Sequence, residues 1–231
     1  MRGGGFELFM AQRVALITGG GKRIGAATVS LLMDNGWFVF IHVRNSIAEA
    51  EEILNVFEQQ NSSKAPAEIL QADLNSDEEL EALIQTVRGH HIVQKNGGLH
   101  ALIHNASIYS SQDYESVSLE KLRLNNRLHI EVPFRLTQGL LSHLREGQGC
   151  VIGMIDTSLG RAWNGLSQYT SSKAGLRQLM MNLAGDLAPE IRVNCVAPGA
   201  ILAADWESEH FASVVEKVPL GRAGEPIDVA K

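Results

Sequence analysis

Tyr169 and Lys173 stand four residues apart in Tyr169-Thr170-Ser171-Ser172-Lys173, and Asp156 lies thirteen residues before the tyrosine. Four residues is about one helical turn, so a phenol and an ammonium leave the same face of a helix. A phenol is a poor proton donor at neutral pH, with a reference pKa of about 10. An ammonium one turn away favours the phenolate and is expected to pull that value toward working pH. A carboxyl group on a different element can share the proton. The set predicts proton transfer paired with hydride chemistry, provided that a nicotinamide cofactor site is also present. Tyr-x-x-x-Lys alone is a common coincidence on a solvated helix, so the surrounding elements decide.

The cofactor signal lies near the other end of the chain. Val14-Ala15-Leu16-Ile17-Thr18 is a short apolar run suited to a buried parallel strand. Gly19-Gly20-Gly21-Lys22-Arg23-Ile24-Gly25 follows at once, and Ala26 to Met33 has helical composition. Strand, glycine turn and helix form the context of a dinucleotide fingerprint. The glycines allow close backbone approach, and the helix N-terminus faces a pyrophosphate. The spacing is not G-x-G-x-x-G, and a glycine loop by itself is most often only a turn.

The next strand, Trp37 to Ile41, runs into His42-Val43-Arg44-Asn45-Ser46. An NAD enzyme usually places an acid here for the ribose hydroxyls. This chain has none before Glu49 and offers Arg44 and Ser46, with Lys22 and Arg23 in the glycine turn. Cations plus a hydroxyl suit a 2′-phosphate, which points to NADPH/NADP+.

Taken together, these residues resemble the short-chain dehydrogenase/reductase family. The resemblance runs from about Val14 to the end of the chain. It is carried by Thr18 to Gly25, Ala72-Asp73-Leu74, His104-Asn105-Ala106-Ser107, Tyr169-x-x-x-Lys173 and Arg192 to Gly199. Three departures narrow it. The family's middle loop glycine is Arg23, its catalytic serine is Asp156, and its asparagine-rich strand end reads His104-Asn105-Ala106-Ser107. These look like the pteridine reductases, and the paired His104 and His129 look like the dihydromonapterin reductase branch.

The resemblance implies catalysis by Asp156, Tyr169 and Lys173. It implies NADPH/NADP+ held by Gly19, Lys22, Arg23, Ile24, Arg44, Asn45, Ser46, Asp73, Leu74, Asn105, Ala106, Ser107, Tyr169, Lys173, Pro198, Gly199 and Ile201. It places a pterin against Ser107, Tyr109, Asp156 and Tyr169, with Ser107 also reaching a cofactor phosphate and the Tyr109 ring stacking on the substrate. The implied reaction reduces a dihydropterin (dihydromonapterin, dihydrobiopterin or dihydrofolate) to the tetrahydro form. The competing readings are a reductase of another carbonyl, such as a 3-oxoacyl thioester, and a non-catalytic NADP(H)-binding sensor. A bland role for Asp156, capping a strand end while Ser158 partners the tyrosine, also competes. His104 and His129 are read as architecture in place of an asparagine pair. Ala203 stands where the family has a threonine, which removes one cofactor contact.

Composition sets the remaining limits. At 231 residues one α/β domain is expected, a Rossmann-type doubly wound parallel sheet. It is expected over residues 11–231, with 1–10 as a leader or disordered N-terminus, and the end near Lys231 reads as lacking the family's final helix and strand. A net charge of −6 with no basic block argues against a nucleic-acid partner. The apolar runs are too short to span a membrane. Two isolated cysteines, Cys150 and Cys195, suit buried thiols in a reducing cytoplasm, and no Cys/His cluster has metal-ligand spacing. Strands are predicted near 14–18, 37–42, 68–71, 99–104, 149–155 and 191–196, and the resemblance implies that residues 200–216 cover the substrate site. Leu176, Leu179, Met180 and Leu183 form an apolar stripe, read as core, on a helix that makes dimer contacts in the family; a homo-oligomer, tetramer or dimer, is expected.

Overall fold

The computed structural model of the chain describes residues 12–204 and 207–231, without the side chains of 208–210. The expectation for 1–10 therefore lies outside the described residues. Six strands form a single parallel sheet: β1 (Val14–Thr18), β2 (Phe38–Val43), β3 (Ala67–Gln71), β4 (Ala101–His104), β5 (Cys150–Met154) and β6 (Arg192–Val196). Their order is β3-β2-β1-β4-β5-β6. All six predicted strands are present.

The central strands are apolar almost throughout because both faces of the sheet are covered. Val14, Ala15, Leu16 and Ile17 are all fully buried. Alternate side chains feed opposite layers: Leu16, Phe40 and Leu102 pack on one side, Ile17, Val39, Ile41 and Ile103 on the other. β4 begins later than predicted, because Leu99 and His100 enter it through single hydrogen bonds to the carbonyls of His143 and Val14. Cys150 and Cys195 are free and half-buried rather than fully enclosed.

The crossovers are helical, α1 (Arg23–Asp34), α2 (Ile47–Asn61), α3 (Asp77–Gly89), α4 (His91–Lys95), α5 (Leu119–Asn126), α6 (Val132–Gly139), α7 (Leu141–Glu146) and α8 (Ser167–Asp186), and α9 (Ser208–Val215) and α10 (Pro226–Ala230) follow β6. A π-helical stretch, Arg127–Glu131, joins α5 to α6. Such local widening often accompanies functional sites. Here it points His129 inward against α8. Gly175 of α8 permits the approach, since a Cβ there would stand 2.5 Å from Ile130 Cδ1.

α8 carries the Tyr-x-x-x-Lys pair. It buries Tyr169, Ser172, Lys173, Leu176 and Met180 along one face. Leu179 and Leu183 pack against the same core at its margin, so the predicted stripe is core packing. Gly153 of β5 admits this helix, because a Cβ there would meet Met180 Cγ at 2.8 Å. The strand order reverses between β1 and β4, which opens a crevice at the carboxyl ends of β1, β4 and β5. The chemistry-bearing residues gather there.

Candidate active site

The glycine turn forms one wall of the crevice. Gly19 adopts φ +66°, and a Cβ at Gly25 would stand 2.2 Å from the Gly19 carbonyl oxygen. Both positions therefore demand glycine. Arg23 replaces the family's middle loop glycine yet keeps a left-handed backbone, at φ +54°. That conformation costs an L-residue about 1–2 kcal/mol. Its guanidinium crosses the cleft and donates to the carbonyls of Leu202 (2.8 Å) and Ala203 (3.2 Å). Arg23 thus ties the turn to the segment before α9, and its guanidinium is occupied by the Leu202 and Ala203 carbonyls.

Two residues that the sequence reading passed over fix the turn from behind. Thr18 Oγ1 accepts from the backbone N–H groups of Asn105 and Ala106, at 3.0 and 3.1 Å. His42 accepts from the Gly19 N–H at Nδ1 (3.2 Å), and its Nε2 meets the Ala72 carbonyl at 3.0 Å. The ring is therefore the neutral tautomer protonated at Nε2, and burial lowers its pKa to about 4. Asn105 Nδ2 completes the clamp by donating to the carbonyls of Thr18 (3.0 Å) and Gly19 (2.9 Å).

A dinucleotide fits this wall. α1 begins inside the turn with no side-chain cap and no acid in its first turn, so its amide N–H groups suit a pyrophosphate. Arg44, Asn45 and Ser46 line the cleft just beyond β2, with Asp73 beyond the end of the neighbouring strand β3. Glu49, in the first turn of α2, pairs with Lys22 at 2.6 Å, so part of the cationic charge near this end is already compensated.

At the opposite end stands the proton-transfer set. The Tyr169 hydroxyl donates to Asp156 Oδ2 at 2.7 Å. Asp156 Oδ1 accepts from the Ser158 N–H at 2.7 Å, so the same carboxyl group also stabilises the strand end. The Ser158 hydroxyl is buried and makes no hydrogen bond among the described residues, so it does not partner the tyrosine. Lys173 donates to the Met154 carbonyl at 2.7 Å and lies 5.8 Å from the centre of the Tyr169 ring.

The electrostatics correct the expectation of a phenol pulled toward neutrality. Burial first, and then the charge and hydrogen bond of Asp156, push the Tyr169 pKa well above its ordinary value. Burial lowers the Lys173 pKa to about 8, against an opposing pull from Asp156. The ammonium is one turn away, as the spacing requires, but it is directed at a backbone carbonyl and is itself desolvated.

Tyr109 meets Tyr169 edge to face, with ring centroids 4.9 Å apart. Its hydroxyl donates to Glu207 Oε2 at 2.8 Å. Glu207, which the sequence reading did not single out, also accepts from the Ala204 N–H through Oε1 at 3.0 Å. The segment before α9 therefore closes over the cleft through Arg23 and Tyr109 together.

Beneath the tyrosine runs a buried histidine. Ser107 Oγ lies 2.9 Å from His129 Nε2, and His129 Nδ1 lies 2.7 Å from Ser172 Oγ. Burial, assisted by the Lys173 charge, lowers the His129 pKa to about 2. His104 is fully enclosed beside Thr137 at 3.0 Å, and burial lowers its pKa to about 3.

Every candidate site residue from the sequence lines one cleft of about 1080 Å³. That includes Ile24, Leu74, Pro198, Gly199 and Ile201, which bring backbone and apolar surface. Trp163 and Leu166 add apolar surface that motif spacing could not reveal, and Phe211 and Val214 bring the segment 200–216 to the cleft as expected. Among the described residues, no cluster of three or more His, Cys, Asp and Glu side chains could hold a metal ion. No described helix is long and apolar enough to cross a membrane.

Residues 13–212 match the short chain dehydrogenase family model. The dihydromonapterin reductase of Enterobacter sp. (strain 638) is 31% identical over 194 residues, covering 83% of this chain and 75% of that protein. The chloroplastic NADPH-dependent aldehyde reductase 1 of Arabidopsis thaliana is 33% identical over 230 residues, covering 94% of this chain and 77% of its own. The crystal structure of FolM, alternative dihydrofolate reductase 1, from Brucella canis complexed with NADP superposes with a TM-score of 0.83. It is 31% identical and the match covers 96% of this chain and 85% of that one.

Proposed function

The chain belongs to the short-chain dehydrogenase family, and from that premise we propose that it uses NADPH to reduce a dihydropterin to its tetrahydro form. The observation that carries the reading is the 2.7 Å hydrogen bond from Tyr169 to Asp156, with the Ser158 hydroxyl left out of the pair. A carboxyl–phenol pair suits delivery of a proton to a ring nitrogen, and a carboxyl group can also hold an amino-pyrimidine edge. A ketone oxygen is better served by two hydroxyl donors. The likeness to a dihydromonapterin reductase, and to a dihydrofolate reductase structure complexed with NADP, supports the same substrate class and cofactor.

NADPH supplies the hydride when bound. The glycine turn and the first amides of α1 would hold its pyrophosphate, and Arg44 with Ser46 its 2′-phosphate. Asp73 and Leu74 would border the adenine. Asn105 and Ala106 line the middle of the cleft, and Pro198, Gly199 and Ile201 its far side. Lys173 would hold the nicotinamide ribose. C6 of an N5=C6 imine would be the hydride acceptor, and the Tyr169–Asp156 pair would give N5 its one proton, which solvent would then replenish. Tyr109 gives an aromatic face for the pterin ring, and flat-ring contacts contribute about 0.5–1.5 kcal/mol beyond burial. Trp163, Leu166 and Phe211 exclude water.

The test is NADPH oxidation against dihydromonapterin, dihydrobiopterin, dihydrofolate, an acetoacetyl thioester and a simple aldehyde. One dihydropterin is expected to exceed the thioester and the aldehyde by about tenfold or more in kcat/KM. The aldehyde is included because of the Arabidopsis relative. Preferred turnover of the aldehyde or thioester would overturn the reading.

A further inference from the structure

Glu207 brings a second carboxyl group to the substrate end of the cleft, which it lines together with Asp156, Tyr109 and Tyr169. Its position is fixed from two sides. The Tyr109 hydroxyl donates to Oε2 at 2.8 Å, and the Ala204 N–H donates to Oε1 at 3.0 Å. The Tyr109 ring in turn packs edge to face on Tyr169, with centroids 4.9 Å apart. One aromatic ring therefore separates this carboxylate from the proton donor. Its charge reaches both phenols: after burial, Glu207 and Asp156 each contribute to the raised pKa values of Tyr109 and Tyr169. Among the described residues, the cations that line the cleft are engaged elsewhere. Lys22 pairs with Glu49, Arg23 is held by the Leu202 and Ala203 carbonyls, and Lys173 is directed at the Met154 carbonyl. Arg44 follows β2, separated from the end of β5 by β1 and β4.

We propose that Glu207 is a specificity-determining residue that turns away substrates with an anionic side chain, so that the preferred dihydropterin carries an uncharged, hydroxylated side chain and not the carboxylate tail of dihydrofolate. The pterin in that statement rests on the function proposed above; the charge selection does not. Its physical basis is like-charge repulsion. A substrate must bring its reacting atom to Tyr169, and a group that projects from it past Tyr109 meets a carboxylate anchored by two hydrogen bonds. Trp163, Leu166, Phe211 and Val214 line the same cleft with apolar surface, which weakens screening by water. A hydroxylated side chain meets no such penalty, because a carboxylate that accepts one hydrogen bond at each oxygen keeps lone pairs for further hydroxyl donors. The same charge disfavours a 3-oxoacyl thioester whose carrier arm bears phosphate.

The test compares kcat/KM for dihydromonapterin, whose side chain is uncharged, and for dihydrofolate, on the wild-type full chain and on Glu207→Gln at saturating NADPH. The variant keeps the size of the side chain and an acceptor for Tyr109 while removing the charge. The wild type is expected to favour dihydromonapterin by about tenfold or more, and the variant to gain about tenfold on dihydrofolate, mainly through KM. A gain of this kind does not arise from misfolding. Raising salt from about 0.02 to 0.5 M should raise the wild-type kcat/KM for dihydrofolate several-fold relative to dihydromonapterin, and this relative rise should shrink in the variant. A wild type that prefers dihydrofolate, a ratio unchanged in Glu207→Gln, or a variant that loses on both substrates alike overturns the proposal. Should no dihydropterin be reduced, the substrate assignment falls. The comparison of 4-carboxybenzaldehyde with its methyl ester, read as turnover or as calorimetric binding to the NADPH-loaded protein, then still judges Glu207: preference for the ester that Glu207→Gln abolishes supports the charge selection, and equal treatment by the wild type refutes it.

Discussion

The Tyr169 hydroxyl donates to Asp156 Oδ2 at 2.7 Å, and burial together with that carboxyl group holds the phenol proton on the tyrosine. The proton is therefore present on the tyrosine, but the raised pKa makes the phenol a weaker acid, so it passes the proton on only as basicity develops on the substrate atom that receives it. The carboxyl group is also anchored, since its other oxygen accepts from the Ser158 N–H. Its orientation is therefore fixed by the backbone at the end of β5, and a substrate must come to it.

Asp156→Ser is expected to lower dihydropterin reduction by about 10²–10⁴-fold, the range for general acid–base catalysis. NADPH affinity should barely change, because the carboxyl group faces the tyrosine and the substrate end of the cleft. A simple ketone could become the better substrate, since serine restores the family's two-hydroxyl arrangement. Parallel rates on wild type and variant decide the matter: equal dihydropterin rates would make Asp156 structural only.

Tyr169→Phe is expected to abolish turnover with NADPH binding nearly intact, while Lys173→Ala should impair both. The pH profile carries a further sign. With a pKa lowered to about 8 by burial, Lys173 is charged below that value and neutral above it. If its charge supports the reaction, wild-type kcat/KM stays level below pH 8 and falls about tenfold per unit above it. A profile rising through pH 9 would exclude that role.

NADPH should be preferred to NADH by about tenfold or more, because one charge-assisted hydrogen bond contributes roughly 1.5–3 kcal/mol. The Lys22–Glu49 pair refines the expectation. Arg44→Ala should lose most of the preference. Glu49→Gln should raise NADPH affinity several-fold by releasing Lys22, whose side chain is 58% exposed and free to swing. Fluorescence titration of both cofactors on the three proteins checks this, and equal binding of NADPH and NADH by the wild type would refute it.

The sheet was legible because its strands are local apolar runs, and the site because Tyr169, Lys173, Asp156 and the glycine turn act through short-range spacing. Residues whose role depends on long-range approach were not legible. Thr18 meets Asn105 and Ala106 across the sheet, and His42 links the glycine turn to the end of β3. Neither carries a spacing signal. Glu207 reaches Tyr109 from 98 positions away, and Arg23 reaches Leu202 from 179. The phenol shift was misjudged for a related reason: proximity to Lys173 can be read from a helical repeat, whereas burial and the direction of an ammonium cannot.

Buried histidines make the last prediction, which concerns stability. His42, His104 and His129 have folded-state pKa values lowered to about 4, 3 and 2, each chiefly by burial. In the unfolded chain they titrate near about 6.5. Between those values the unfolded state binds protons that the folded state refuses. The stability they contribute is therefore fully present above about pH 6.5 and is lost as pH falls toward the folded values. Each group contributes a slope of roughly 1.4 kcal/mol per pH unit in that window. A domain with about 5–15 kcal/mol of total stability would feel three such slopes before its carboxylates begin to titrate. Urea unfolding at intervals from pH 7.5 to 5 should show stability falling steeply below about 6.5. His104→Asn, which keeps a polar side chain beside Thr137, should make the slope shallower by one proton. A flat dependence between pH 7 and 5 would mean that these rings take up protons in the folded state, and that their enclosure is looser than the hydrogen bonds to Ala72, Thr137 and Ser172 require.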